Sequence, residues 1–172
     1  MKILNLHGLN GSSHNTNYRF LSVYFADRND VIIVSPQIDY EKANPHYVID
    51  AFLPKIDEFD IIVGNSFGGF FAYTLGSFSN KAKTLLVNPC IPPYFYIPKL
   101  VENYKYTEEL KQIFESAIGN NHNYSVLLGD SDDVLDIQIT LNILNPKNFK
   151  IISGGHSLSG CDYEKWFKEE LK

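Results

Sequence analysis

Along the 172-residue chain, apolar positions gather into six short runs: Lys2–Leu6, Val31–Ser35, Asp60–Gly64, Thr84–Asn88, Tyr124–Leu128 and Phe149–Ser153. Each is nearly continuous in hydrophobicity. Runs that do not alternate apolar with polar belong to strands covered on both faces, as in a parallel sheet packed between helices. The segments between them repeat apolar residues at helical spacing. In Tyr47–Phe59, Val48, Phe52, Ile56 and Phe59 fall at i, i+4, i+8 and i+11; Asn17–Asp27, Phe67–Phe78, Glu108–Ile118, Leu135–Leu144 and Tyr163–Leu171 behave likewise. Six strand–helix units in succession predict a doubly wound α/β domain with helices on both faces of the sheet. Its ligands should bind beyond the carboxyl ends of the strands.

One stretch departs from the pattern. Pro89–Thr107 carries Pro92, Pro93 and Pro98 together with Tyr94, Phe95, Tyr96, Tyr104 and Tyr106, and it is poor in helix signals. Because it follows a strand end, a loop or short cap beside the site is one reading and a packed surface loop is the other.

The length suits one domain, residues 1–172, with a substantial core. A hydrophobic content of 44% and a charged content of 20% are those of a folded globular chain. The net charge of −5 and the absence of any Lys/Arg cluster argue against nucleic acid as a partner. Met1-Lys2 leads into Ile3-Leu4-Asn5-Leu6, where Asn5 and then His7 interrupt the apolar run. That run is too short for a secretory signal or a membrane span. Cys90 and Cys161 stand far apart and outside any CxxC spacing, so they read as free thiols of a cytoplasmic protein rather than a disulfide or metal site.

The chemistry concentrates at strand ends. Gly64-Asn65-Ser66-Phe67-Gly68-Gly69 is a G-x-S-x-G motif between a strand and a helix, the context a nucleophile elbow requires. A sharp turn presents the serine, and residues two positions away on either side must be small, which Gly64 and Gly68 satisfy. The rival reading makes Ser66 an ordinary helix cap, but a cap does not need glycine on both sides.

A serine hydroxyl needs a base within hydrogen-bond reach. His156, in Gly154-Gly155-His156-Ser157 after the last strand, projects over the same sheet edge, whereas His14, His46 and His122 lie in polar surroundings and are expected to face solvent. A carboxylate must then orient the imidazole. The loop Gly129-Asp130-Ser131-Asp132-Asp133-Val134-Leu135-Asp136 offers four, and chain order Ser…Asp…His suits this fold class. Asp132 fits the G-x-x-D-x-V frame formed with Gly129 and Val134, and Asp130 is the alternative. His7-Gly8-Leu9-Asn10-Gly11 after the first strand can lend a second oxyanion donor, the N–H of Leu9, beside that of Phe67. His7 itself reads as a brace for this loop, with a metal or base role as the alternative.

Taken together, His7–Ser13, Gly64–Gly69, Val87-Asn88-Pro89, Gly129–Asp136 and Gly154-Gly155-His156 resemble the YqiA/YcfP-like family of small bacterial α/β-hydrolases, described as esterases. The resemblance covers nearly the whole chain. It implies a trimmed α/β-hydrolase fold that begins at the strand bearing His7-Gly8, with six parallel strands in the order 2-1-3-4-5-6. It also implies esterase or thioesterase activity on small acyl substrates, without a cofactor or metal, and a triad of Ser66, Asp132 and His156. The approach Gly129-Asp130-Ser131 is longer than the resemblance leads one to expect, which keeps Asp130 open. Phe67 stands where leucine is commoner, but it would contribute only its backbone N–H. On this reading the aromatic insert lines the acyl side of a mostly apolar pocket.

Overall fold

The four inner runs bury alternate residues on opposite sides of one sheet, which explains their continuous hydrophobicity; the runs at Val31–Ser35 and Phe149–Ser153 form the sheet edges and leave Ile32, Phe149 and Ile151 exposed. The computed structural model describes residues 1–120 and 122–172. Its strands are β1 (Lys2–Leu6), β2 (Ile32–Val34), β3 (Ile61–Asn65), β4 (Lys83–Val87), β5 (Tyr124–Gly129) and β6 (Phe149–Ile152). On one face Leu4, Ile62, Leu86 and Val126 join a core with Phe70, Ile97 and Leu110. On the other, Ile3, Val63, Leu85 and Leu127 pack with Leu21, Trp166 and Phe167.

The helices divide accordingly. α1 (Thr16–Tyr24) and α7 (Cys161–Glu170) cover the second face. The first is covered by α2 (Pro45–Phe52), α3 (Phe67–Ser77), α4 (Pro93–Leu100), α5 (Thr107–Ala117) and α6 (Ile137–Leu144). The expected helix Tyr47–Phe59 is shorter: α2 gives way at Leu53 to a 3-10 turn, Leu53–Glu58. Pro54 accounts for the change, since it lacks the N–H that would continue the α ladder, and the backbone then leaves helical angles at Lys55 (φ −121°, ψ 17°). Two other helix starts have local causes. Asp136 accepts the N–H groups of Gln138 and Ile139 to open α6, and Asn15 accepts that of Tyr18 to open α1.

The stretch Pro89–Thr107 is not the loop its composition suggests. Pro93 opens the two-turn helix α4, at the first helical position, where a missing N–H costs nothing. Ile97 and Tyr96 are buried and Tyr94 meets Phe114 of α5, so most of the helix's aromatic character serves the core, with Phe95 left exposed.

All six strands run parallel in the order β2-β1-β3-β4-β5-β6. The chain moves outward from β1 to β2 and then returns to the other side of β1 as β3. That reversal separates the loops following β1 and β3 and opens a crevice between them. The register aligns Leu6 with Gly64, Asn65 with Val87 and Gly129 with Ile152, so the segments after β1, β3, β4, β5 and β6 leave the sheet at one edge.

Candidate active site

Ser66 sits in the turn between β3 and α3 at φ 51°, ψ −124°, a conformation that L-residues rarely adopt and that costs on the order of 1–3 kcal/mol. Its neighbours hold it there. The Ser66 N–H donates to the Val87 carbonyl at 3.0 Å, and the Ser66 carbonyl accepts from Cys90 N–H and Gly69 N–H, each at 2.9 Å. The flanking glycines allow the close packing this needs: a Cβ on Gly68 would collide with the carbonyl oxygens of Leu6 and His7, and one on Gly64 with that of Gly68. The hydroxyl makes no capping bond to α3, so the helix-cap reading of Ser66 fails.

The hydroxyl instead meets His156, whose Nε2 lies 2.9 Å from Ser66 Oγ. The other ring nitrogen, Nδ1, lies 2.9 and 3.1 Å from the two carboxylate oxygens of Asp132. The Asp132 side chain is 1% exposed and that of His156 22% exposed, so the imidazole stands between an enclosed acid and the Ser66 hydroxyl. Burial alone pushes the Asp132 carboxyl up. Hydrogen bonds from His156 and from the N–H groups of Leu135 and Val134 outweigh it and hold the pKa below the ordinary carboxylate value. An ionised Asp132 accepts from Nδ1–H, which leaves Nε2 free to accept the serine proton. Asp130 is directed elsewhere: its carboxylate accepts the Gly154 N–H at 3.0 Å and so braces the start of the histidine loop.

That loop has a second support which the sequence pattern shows only as part of Val87-Asn88-Pro89. Asn88 is buried at the end of β4 with φ 40°, a left-handed conformation that asparagine tolerates better than most residues. Its Nδ2 donates to the carbonyls of His156 (2.8 Å) and Gly155 (3.1 Å), while its Oδ1 accepts the Gly129 N–H at 2.8 Å. One side chain therefore joins the segment before Asp132 to the loop that carries His156.

His7 is a brace. Its Nε2 accepts the Ile38 N–H at 3.0 Å, so Nδ1 carries the proton and donates to the Gly8 carbonyl at 2.7 Å. Both nitrogens are engaged, and neither is available as a base or metal ligand. The loop it holds lies against the serine: a Cβ on Gly8 would come within 3.0 Å of Ser66 Cβ. Leu9 follows at the cleft wall. Phe67 is the first residue of α3, where an N–H has no partner within the helix.

With this geometry in view, comparison with known proteins places the chain. Residues 2–167 match the family described as "Uncharacterised protein family (UPF0227)". The chain belongs to that family. A UPF0227 protein of Shewanella sp. (strain MR-7) is 26% identical over 154 residues, covering 84% of this chain and 83% of that protein. S-formylglutathione hydrolase (FrmB) from Staphylococcus aureus aligns with a TM-score of 0.61 at 17% identity, over 99% of this chain and 79% of its own. Est1E from Butyrivibrio proteoclasticus, solved with ferulic acid bound, aligns with a TM-score of 0.65 at 13% identity, over 98% and 88%. These likenesses bear on architecture: this UPF0227 protein has the α/β-hydrolase fold, in the strand order the resemblance implied.

The cleft beside Ser66 corrects two expectations. It has a volume of about 420 Å³ and is bounded by the β1 loop, the start of α1 and the histidine loop. None of its walls comes from Pro92–Tyr106: Tyr94, Tyr96 and Tyr104 pack with the core, and Phe95 is exposed under Lys99. Its lining is mostly polar, with Leu9, Val87 and Leu158 the larger apolar contributors. His14, expected in solvent, is exposed but sits at this cleft. His122 departs further from expectation. It is half-buried, with ring centroids 4.9 Å from Tyr73 and 4.7 Å from Tyr124, and burial lowers its pKa. It lines a separate cavity of about 720 Å³ with Ala82 and Tyr124, by the amino ends of β4 and β5, at the opposite end of the sheet from Ser66. The buried Cys90 has its thiol pKa pushed up by burial first and by Asp132 second, which keeps it a thiol. Among the described residues, no helix is long and apolar enough to cross a membrane.

Proposed function

We propose that this protein is a serine hydrolase that splits carboxylic esters or thioesters through an acyl-enzyme, with Ser66 as nucleophile, His156 as general base and acid, and Asp132 as the orienting carboxylate. The observation that carries this reading is the unbroken chain Ser66 Oγ–His156 Nε2 and Nδ1–Asp132, set on a strained elbow.

In the first half-reaction Ser66 Oγ forms a bond to the carbonyl carbon as its proton passes to His156 Nε2. Asp132 stabilises the imidazolium by accepting from Nδ1–H. The N–H groups of Phe67 and Leu9 are the proposed donors to the developing oxyanion. As the tetrahedral intermediate collapses, the bond to the alcohol or thiol breaks and the leaving group takes the proton from Nε2. Water then gives a proton to Nε2, attacks the acyl-enzyme, and the second collapse returns the proton to Ser66. The residues involved need no cofactor or metal. The two unpaired cysteines fit a cytoplasmic protein of this kind.

The test is intact mass after treatment with a fluorophosphonate probe. A single adduct on the wild type that vanishes in Ser66→Ala and His156→Ala is the expected result. No adduct on folded wild-type protein would overturn the hydrolase reading and favour a binding protein that keeps the hydrolase fold.

A further inference from the structure

Asn65 fills the first variable position of the G-x-S-x-G motif. It is the last residue of β3, in register with Val87 of β4, and both line the cleft beside Ser66. Its side chain ends a chain of amides that runs outward from the sheet. Buried Asn5 on β1 donates from Nδ2 to Asn15 Oδ1 at 3.0 Å, and Asn15 Nδ2 donates to Asn65 Oδ1 at 2.7 Å. The backbone fixes the direction of this chain. Asn15 Oδ1 also accepts the Tyr18 N–H at 3.0 Å to open α1, and a backbone N–H can only donate. The end of Asn15 that meets Asn65 is therefore its amide nitrogen, and the end of Asn65 left free is Nδ2.

That Nδ2 has no acceptor among the described residues, yet Asn65 is only half-buried and the atom is not enclosed. It lies against Gly8: a Cβ there would come within 3.1 Å of Asn65 Nδ2 and 3.0 Å of Ser66 Cβ. A donor of fixed direction thus stands beside both the nucleophile and the loop proposed to supply the Leu9 N–H. Hydrogen bonds in a chain polarise one another, which strengthens the terminal donor. The lining around it is polar as well, with Ser12, Thr16 and Ser157 on the same cleft. A hydrocarbon group seated against Nδ2 would strip its water and return no hydrogen bond, whereas an oxygen would accept one.

We propose that Asn65 is a substrate-binding residue whose Nδ2 donates to an oxygen of the substrate, so that the cleft selects esters or thioesters carrying an ether, hydroxyl or carbonyl oxygen close to the scissile carbonyl over plain hydrocarbon ones. The inference rests on the hydrolase reading for the reaction and extends it to the substrate class. Asn15 is then a positioning residue, which acts by holding the amide of Asn65.

The experiment uses two ester pairs whose members differ by one atom. 4-Nitrophenyl methoxyacetate against 4-nitrophenyl butyrate replaces a methylene of the acyl chain with oxygen. 2-Methoxyethyl acetate against butyl acetate does the same in the alcohol, followed by acetate release. In each pair the kcat/KM ratio of ether to hydrocarbon member is compared between wild type and variant, which cancels the intrinsic reactivity of the esters. In at least one pair the ratio is expected to fall about three- to tenfold in Asn65→Asp, the worth of one hydrogen bond, and that pair locates the oxygen. This variant keeps the side-chain size and an acceptor for Asn15 but replaces the donor with an oxygen. Asn15→Asp keeps the cap on α1 and makes Asn65 turn its Nδ2 toward the new carboxylate, so that Oδ1 faces the cleft. The same pair should show the same fall with Asn65 itself intact. A side chain that only braced the elbow would slow both members together and leave the ratio where it was. An unchanged ratio in either variant, across both pairs, overturns the proposal; if Ser66 is still labelled by the fluorophosphonate, the hydrolase reading stands. Folded wild-type protein that neither takes the label nor turns over any of the four esters overturns both.

Discussion

Asn88 provides the sharpest test of how the site is held. Replacing it with alanine removes three hydrogen bonds: those to the carbonyls of Gly155 and His156, and that from the Gly129 N–H. The Gly129 N–H is buried, so its loss of a partner costs about 1–3 kcal/mol, and each carbonyl adds about 0.5–1.5 kcal/mol. Alanine must also adopt φ 40°, at a further cost of about 1 kcal/mol. The expected destabilisation is therefore about 3–7 kcal/mol. It can be read from urea unfolding followed by fluorescence of the single tryptophan, Trp166, which is buried between the sheet and α7. In Asn88→Asp, one oxygen still accepts from Gly129 while the other faces two carbonyls. The new carboxyl should have its pKa raised in the folded state, so its stability deficit should shrink as pH falls through that raised value, where protonation restores a donor. In both variants the His156 loop loses its tether, and fluorophosphonate labelling of Ser66 should slow by tenfold or more under conditions where the protein remains folded. Destabilisation below about 1 kcal/mol with an unchanged labelling rate would refute the assignment of Asn88 as the residue that positions this loop.

Asp132→Asn should lower ester hydrolysis by about 10³–10⁴ with the fold retained, because the amide cannot hold the imidazole in the productive tautomer. Asp130→Asn, which touches only the Gly154 N–H, should cost far less; comparable losses in kcat from the two variants would overturn the choice between them. Glu170 joins α7 to the sheet by accepting from Lys83 and Ser125 at 2.8 Å and from Asn148 at 3.0 Å. Burial raises its pKa, but these donors outweigh burial and hold it below 4.5. A depressed pKa adds stability that is fully present above that value and is lost as pH falls through the folded-state value. Urea midpoints of the wild type and Glu170→Gln should therefore differ at pH 7 and draw together in acid; a gap that does not narrow as pH falls below the ordinary glutamate range would contradict the linkage.

Features that depend on neighbouring residues were legible in the chain itself. The non-alternating apolar runs specify strands, and the four inner ones are buried on both faces, while the two at the sheet edges are partly exposed. The glycines flanking Ser66 announce a tight turn whose crowding leaves no room for a side chain. From those local signals follow the α/β architecture and the serine at a strand end, since both are set by backbone geometry over a few residues. Other features depend on where separate segments meet. Asp130 and Asp132 stand two residues apart in equivalent chemical company, and only the path of the loop turns one toward Gly154 and the other toward His156. Ser66 and His156 are 90 residues apart and meet because parallel strands deliver both to one edge. Aromatic content could not say whether α4 would line a pocket or fill the core, since either environment accepts a ring. The positions of α4 against α5 and of α1 against the elbow settled that, leaving a polar cleft at Ser66. Asn88 likewise gains its role only in three dimensions, because its three partners come from two loops distant in the chain and the hydrogen bonds exist only once the sheet has brought them together.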